Sequence, residues 1–99
     1  MKVAIVILNW NGKALLEQFL PSVTQFSTEA NIYVADNASG DYSIGFLQKN
    51  YPEVKIIQNK ENGGYAKGYN DALKQLSEEI LILLNSDIEV TKNWLHPIV

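Results

Sequence analysis

The chain has 99 residues, 46% of them hydrophobic and 19% charged. This composition excludes a disordered tail, and the length leaves room for only one hydrophobic core, so residues 1–99 form one domain or part of one. The formal net charge is −3 and all eight basic residues are lysines; without arginine, non-specific nucleic-acid binding is not expected. The absence of cysteine excludes disulfides, a thiolate nucleophile and a cysteine-type zinc site, and slightly favours a reducing cytosol.

Four apolar runs of strand length lie at residues 3–8, 32–35, 54–57 and 80–84. The first is too short to span a membrane and has no small-residue cleavage site after it, so we interpret it as a buried strand. The third run contains Lys55 and is the most polar, which predicts a place at the edge of a sheet. The first and fourth runs are expected toward its centre.

Between these runs lie three segments whose apolar residues recur with helical spacing. The first and third match the i, i+3, i+4, i+7 pattern in full, whereas the second has Gln48 at its i+4 position and leaves Phe46 off the apolar stripe. The stripes are Leu16, Phe19, Leu20 and Val23; then Ile44, Leu47 and Tyr51; then Tyr69, Ala72, Leu73 and Leu76.

Alternating strands and helices with short connections are typical of right-handed βαβ units on a parallel sheet. We predict an α/β fold with three layers, a mostly parallel sheet in the order 3-2-1-4 and helices on both faces. In such a sheet, ligands bind in the crevice outside the carboxyl ends of the strands. The loops at those ends are 9–12, 36–41, 59–64 and 85–87, which contain most of the asparagines and three of the four aspartates.

These residue types also build turns and helix caps, so each loop has a plain structural interpretation as well. Asp41 stands just before the second helix and is predicted to cap it. Asp36 ends the second strand, where it can accept a hydrogen bond from a nucleobase N–H or a ribose hydroxyl; alternatively it forms an Asx turn with Ser39. Trp10 offers a ring face on which a base can stack, or else covers the edge of the sheet as part of the core.

The last two loops suggest phosphate and metal chemistry. Asn62, Gly63 and Gly64 precede the third helix, whose amino end favours an anion, and Lys67 and Asn70 can extend toward the same ligand. A plain strand-to-helix turn and a surface lysine explain the same residues. In the triplet Asn85-Ser86-Asp87, the Asp87 carboxylate can hold Mg²⁺ or Mn²⁺ that is also bound by substrate phosphates; alternatively it caps a turn.

Taken together, the order and spacing of four motifs resemble the family 2 glycosyltransferases of the GT-A fold, the nucleotide-diphospho-sugar transferase type. The resemblance covers nearly the whole chain. The motifs are Ile7-Leu8-Asn9-Trp10-Asn11-Gly12; Val34-Ala35-Asp36-Asn37-Ala38-Ser39; Asn62-Gly63-Gly64-Tyr65-Ala66 with Asn70; and Leu83-Leu84-Asn85-Ser86-Asp87.

The resemblance implies a role for each predicted site residue. Asn9 and Trp10 line the nucleobase pocket, and Asp36 hydrogen-bonds the base. Asp87 binds the divalent cation, Mn²⁺ or Mg²⁺. The remaining predicted substrate-binding residues are Asn62, Gly63, Gly64, Lys67, Asn70 and Ser86.

Two residues depart from the family's usual pattern. Asn85 replaces the first aspartate of an Asp-any-Asp metal motif, so weaker metal binding, or binding more dependent on the substrate phosphates, is expected. Tyr69 stands where many relatives carry arginine, which leaves the diphosphate contact of that arginine in doubt. The acceptor site and the general base are expected beyond Val99.

The resemblance therefore implies that the chain is the donor-binding, N-terminal part of a truncated inverting glycosyltransferase and is inactive on its own. The donor is expected to be a nucleoside-diphosphate sugar, and the acceptor a hydroxyl group of a carbohydrate or a lipid-linked molecule. We expect it in the cytoplasm, at the inner face of the membrane in the full-length protein. Self-association is expected from the apolar run 80–84.

Two alternative functions remain. A receiver-like phosphoacceptor module is disfavoured because an acidic cluster is lacking after the first strand. A nucleotidyltransferase-like domain is disfavoured because a glycine-rich basic loop is lacking there.

Overall fold

A computed structural model describes residues 2–27, 30–59, 65–74, 76–85, 90 and 94. Four strands alternate with three helices in this part of the chain, as the sequence predicts. The elements in chain order are β1 Val3–Asn9, α1 Lys13–Gln25, β2 Asn31–Asn37, α2 Ser43–Asn50, β3 Lys55–Asn59, α3 Tyr65–Leu73 and β4 Ile80–Asn85.

The four strands form one parallel sheet in the order β3-β2-β1-β4, which confirms the predicted topology. β3 lies at one edge, as Lys55 indicates. β4 lies beside β1 but is not central: within the described residues it pairs with β1 alone. Each strand ends on an asparagine, and the side chains of Asn9, Asn37 and Asn59 are buried at the carboxyl edge of the sheet.

Helices cover both faces of the sheet, since alternate residues of β1 point to opposite sides. On one face, Ile5 and Ile7 pack with buried side chains of α1 and α2. On the other, Ala4, Val6 and Leu8 pack with Tyr69 and Ala72 of α3. The predicted three-layer arrangement is therefore confirmed.

The second helix differs from its predicted stripe. Leu47 is buried in the core as expected, but Tyr51 lies just past the end of the helix. Phe46, which the spacing leaves off the stripe, is partly buried against the same core, and its ring centroid lies 5.9 Å from that of Tyr51. A helix of only 8 residues packs through its ends as well as through one stripe, so a four-place pattern describes it poorly.

One face of β4 is left uncovered within the described residues. Ile82 and Leu84 pack into the core beneath α1 and α2, whereas Leu81 and Leu83, on the α3 side, are 38% and 49% exposed. The cause is that α3 lies over β1, β2 and β3. The expected self-association through this run stays a prediction. None of the helices in the described part of the chain has the length and apolar character needed to cross a membrane.

A polar network closes the opposite, amino edge of the sheet. The Tyr33 hydroxyl donates a 2.6 Å hydrogen bond to Glu78, which also accepts one from Asn31 at 3.1 Å. Burial, together with that hydrogen bond and the Glu78 charge, raises the pKa of Tyr33 to about 12. The Nζ atom of Lys55 lies 5.4 Å from the centroid of the Tyr33 ring. The network ties the segment before β4 to the start of β2.

Two neighbouring leucines of α1 test the assignment of its buried face. Leu16 is 1% exposed and Leu15 is 38% exposed, so Leu16→Ala is expected to lower the free energy of unfolding by about 2–5 kcal/mol, because it leaves a cavity in the core. Leu15→Ala is the matched control and should cost less than about 1 kcal/mol. Urea unfolding followed by circular dichroism measures both. Equal losses in the two variants would contradict the assignment.

Candidate functional site at the carboxyl edge

The ends of β1 and β2 are joined by a buried polar cluster of Asn9, Asp36 and Ser39. Asn9 and Asp36 are register partners, and both are almost fully buried. Asn9 Nδ2 donates to Asp36 Oδ1 at 2.9 Å and to Ser39 Oγ at 3.2 Å. Asp36 also accepts from the Ser39 hydroxyl at 2.6 Å and, through Oδ2, from the Ser39 backbone N–H at 2.9 Å.

These hydrogen bonds form the turn between Asp36 and Ser39, which was one of the two interpretations of Asp36 from the sequence. Three hydrogen-bond donors compensate the burial of the Asp36 carboxylate. No cationic side chain of the described residues takes part. A carboxylate has about four acceptor positions, and the described residues fill three of them. Asn9 Oδ1 is also buried and accepts no hydrogen bond from the described residues. The predicted contact of Asp36 with a nucleobase stays a prediction.

A second set of contacts fastens the loop after β1 to the loop after β2. Asn11 adopts a left-handed backbone conformation, φ 49°. Its N–H donates to Ser39 Oγ at 2.9 Å, and its side-chain oxygen accepts from the Gly40 N–H at 2.7 Å. No role was predicted for Asn11 from the sequence. The signal it offers is an asparagine before Gly12 at a strand end, since asparagine tolerates this conformation better than most residues.

Asp41 connects the amino ends of two helices. It accepts hydrogen bonds from the backbone N–H of Ser43, at 3.1 Å, and from the Ser43 hydroxyl. Asp41 thus bonds the first residue of α2 from one position before the N-cap residue, which is Tyr42 and not Asp41 as predicted. Its other oxygen accepts from the Lys13 N–H at 3.0 Å, at the start of α1. Burial acts to raise the pKa of Asp41, but the hydrogen bonds from Ser43 and Lys13 outweigh it, and the net pKa is lowered.

Three further predicted site residues are described, and all three are exposed. Trp10 follows β1 with 56% of its surface exposed, so it is not part of the core. Lys67 and Asn70 are exposed on α3. Asn62, Gly63, Gly64, Ser86 and Asp87 lie outside the described residues. β4 ends at Asn85 beside Leu8, which brings the fourth motif to the same edge of the sheet as Asn9.

The third helix contacts this edge through Tyr69, which is buried. Its hydroxyl donates to the backbone oxygen of Leu84 at 2.9 Å. At the other end of this edge, Asn59 Nδ2 donates to Asn37 Oδ1 at 2.7 Å across the ends of β3 and β2.

No cluster of three or more metal-binding side chains occurs among the described residues. The metal role of Asp87 stays a prediction, because residues 86 and 87 lie outside the described part of the chain.

Comparison with known proteins identifies the family. The model of glycosyl transferase family 2 matches residues 4–99. The chain belongs to the family 2 glycosyltransferases. Membership decides against the receiver-like module and the nucleotidyltransferase.

Two sequence relatives of this glycosyltransferase are much longer than the chain. An uncharacterized glycosyltransferase of Bacillus subtilis, YfnE, is 34% identical over 97 residues, which cover 94% of this chain and 25% of YfnE. The poly(ribitol-phosphate) β-N-acetylglucosaminyltransferase TarS of Staphylococcus aureus is 29% identical over 101 residues, covering 96% of this chain and 18% of TarS. The chain therefore spans a quarter or less of the curated relatives it matches.

Solved structures agree with the fold. TarS residues 1–349 in complex with UDP-GlcNAc superimpose with a TM-score of 0.85 at 27% identity, covering 99% of this chain and 30% of that one. The mannosyltransferase PcManGT of Pyrobaculum calidifontis, solved with GDP-Man and Mn²⁺, has a TM-score of 0.79 over 93% of this chain and 29% of its own. At 20% identity, PcManGT supports the fold alone.

The pKa of Asp41 predicts a pH-dependent stability. Because folding lowers this pKa, the contribution of Asp41 is present above the unfolded-state pKa and is lost as the pH falls through the folded-state pKa. Asp41→Ala is expected to cost about 0.5–2 kcal/mol at pH 7, and the gap to the wild type should close in acid. Glu17→Ala, which removes an exposed ion pair with Lys13, serves as the control and should cost under about 1 kcal/mol. Urea unfolding at several pH values measures both; a gap independent of pH would contradict the assignment.

Proposed function

We propose that this chain holds the donor nucleotide of a glycosyltransferase that moves a sugar from a nucleoside diphosphate to a hydroxyl acceptor. The observation that carries the proposal is the family match over residues 4–99, on a fold whose first two motifs meet at the carboxyl edge of the sheet. That edge is where parallel α/β sheets bind ligands. TarS, solved with UDP-GlcNAc, supports a nucleotide-sugar donor.

In this proposal the base stacks on the exposed ring of Trp10, beside the cluster of Asn9 and Asp36. That cluster offers two hydrogen-bond acceptors to the base. One is the fourth acceptor position of the Asp36 carboxylate, and the other is Asn9 Oδ1 once the side chains that enclose it shift. Acceptors suit the N–H groups of a base. The diphosphate extends toward α3, where Lys67 is exposed and residues 62–64 precede the amino end of the helix, which favours an anion.

A divalent cation, Mn²⁺ or Mg²⁺, held by Asp87 would stabilise negative charge on the departing nucleoside diphosphate. PcManGT, which shares the fold, was itself solved with Mn²⁺. In an inverting reaction, the acceptor oxygen bonds to the anomeric carbon on the face opposite the breaking carbon–oxygen bond, and the hydroxyl proton passes to a general base. We place that base and the carbohydrate or lipid-linked acceptor site outside residues 1–99. A lipid-linked acceptor would put the whole enzyme at the inner face of the membrane.

The donor site is tested by calorimetric titration with UDP, GDP and dTDP, each with and without Mn²⁺. One nucleotide is expected to bind, more tightly with Mn²⁺, and Asp87→Ala should abolish the effect of the metal. Glu79→Ala is the control, because it removes an exposed carboxylate that precedes β4 at the opposite edge, and it should bind as the wild type does. A folded wild-type protein that binds none of the three would refute the proposed function.

The stacking role of Trp10 is tested separately. Trp10→Ala is expected to weaken binding of that nucleotide by about 1–3 kcal/mol, since a base stacked on an aromatic ring contributes about that much. Trp10→Phe keeps a ring face and should recover most of the affinity. Stability should change little in either variant, because the side chain lies outside the core. Equal affinities for the alanine variant and the wild type would place the base elsewhere.

A further inference from the structure

The hydroxyl of Ser39 lies between the loops after β1 and β2 and makes three hydrogen bonds there. It accepts from Asn9 Nδ2 at 3.2 Å and from the backbone N–H of Asn11 at 2.9 Å. It donates to Asp36 Oδ1 at 2.6 Å. A hydroxyl has one hydrogen and two lone pairs. Since nitrogen donors use both lone pairs, the single hydrogen is committed to the Asp36 carboxylate.

These bonds fix the orientation of the Asp36 carboxylate. Its Oδ1 accepts two hydrogen bonds, from Asn9 Nδ2 at 2.9 Å and from the Ser39 hydroxyl. Its Oδ2 accepts one from the described residues, the Ser39 backbone N–H at 2.9 Å. Each carboxylate oxygen has about two acceptor positions, so a further donor is expected at Oδ2. Because Asp36 is only 1% exposed, its neighbours rather than water decide which way Oδ2 faces.

We propose that Ser39 is a positioning residue for the base of the donor nucleotide: its hydroxyl holds the Asp36 carboxylate so that Oδ2 accepts from the ring N–H of the base. The inference rests on the proposed function, specifically on the contact between Asp36 and the base. Uracil, thymine and guanine each have such a ring N–H. Turn formation and base recognition are then compatible roles of Asp36, because the turn holds the carboxylate that recognises the base.

The alternative is that Ser39 only stabilises the turn, and a matched pair of variants separates the two roles. Ser39→Ala removes the hydroxyl and its bond to Asp36. Ser43→Ala removes a hydroxyl that also donates to a carboxylate, that of Asp41, and that lies at the start of α2. A purely structural role predicts that both variants leave the base contact as it is in the wild type.

The experiment compares UDP, GDP and dTDP, each with its analogue methylated at the ring N–H, by calorimetry on protein shown to be folded by circular dichroism. For the nucleotide that binds, the dissociation constant of the analogue divided by that of the parent measures the contact of the ring N–H. A loosened loop after β1 weakens both ligands alike and cancels in this ratio. We expect Ser39→Ala to reduce the ratio about threefold to tenfold, which is the range for losing one hydrogen bond.

Two further variants complete the set. Ser43→Ala should leave the ratio as in the wild type. Ser39→Thr keeps a hydroxyl at the same position and should retain most of the ratio. If Ser39→Ala does not fold, Ser39→Cys is measured instead; its thiol is a weaker donor and should lower the ratio in part.

The outcomes separate this inference from the proposed function. An unchanged ratio in the variant of Ser39 that lacks the hydroxyl, or an equal fall in Ser43→Ala, would overturn the positioning role while leaving the donor site intact. A wild type that binds a nucleotide and its methylated analogue equally well would overturn the base contact of Asp36 and the inference with it. A folded wild type that binds none of the nucleotides would refute the proposed function itself.

Discussion

A buried carboxylate without a cation holds the two inner strands of this sheet together where they end. Asp36 is ionisable and almost fully enclosed, and burying such a charge is costly unless hydrogen bonds replace its water. Asn9 and Ser39 supply those bonds. The loops after β1 and β2 must therefore keep one conformation, which sets the left-handed turn at Asn11 and the start of α1. The exposed side chain of Trp10 lies between Asn9 and Asn11, whose hydrogen bonds hold the backbone on either side of it.

The sequence predicted the arrangement of the elements well because few topologies satisfy the rules for parallel sheets. Once the strands and helices alternate, right-handed crossovers and a polar edge strand leave 3-2-1-4 as the natural order. The charge of Lys55 located that edge correctly. Phe46 was missed since a helix of two turns has no fixed apolar stripe. Run 80–84 lies beside β1, as the predicted order requires, and within the described residues its α3-side leucines remain exposed.

The side-chain bonds at the carboxyl edge were harder to foresee. Turn formation and ligand binding call for the same residue types, so the sequence left both interpretations of Asp36 open, and the structure shows the turn. The bond of Asp41 to the start of α2 was predictable, because Asp41 lies just before an apolar stripe. Its bond to Lys13 was not, because that bond joins residues 28 positions apart. Tyr69 illustrates the same limit. Its spacing predicts a buried face, but only the packed helix shows where the hydroxyl ends.

The asparagines at the strand ends have an electrostatic advantage over aspartates. A site for a nucleoside diphosphate already contains the negative charges of the ligand, and the chain itself carries a net charge of −3. Another carboxylate at position 9 would lie within hydrogen-bonding distance of Asp36, where two like charges repel strongly. The amide of Asn9 instead donates to Asp36, and the amide of Asn59 donates to Asn37. Asn85 extends this substitution to the metal motif. The amides of Asn9 and Asn59 therefore make the hydrogen bonds at these strand ends without adding negative charge beside Asp36.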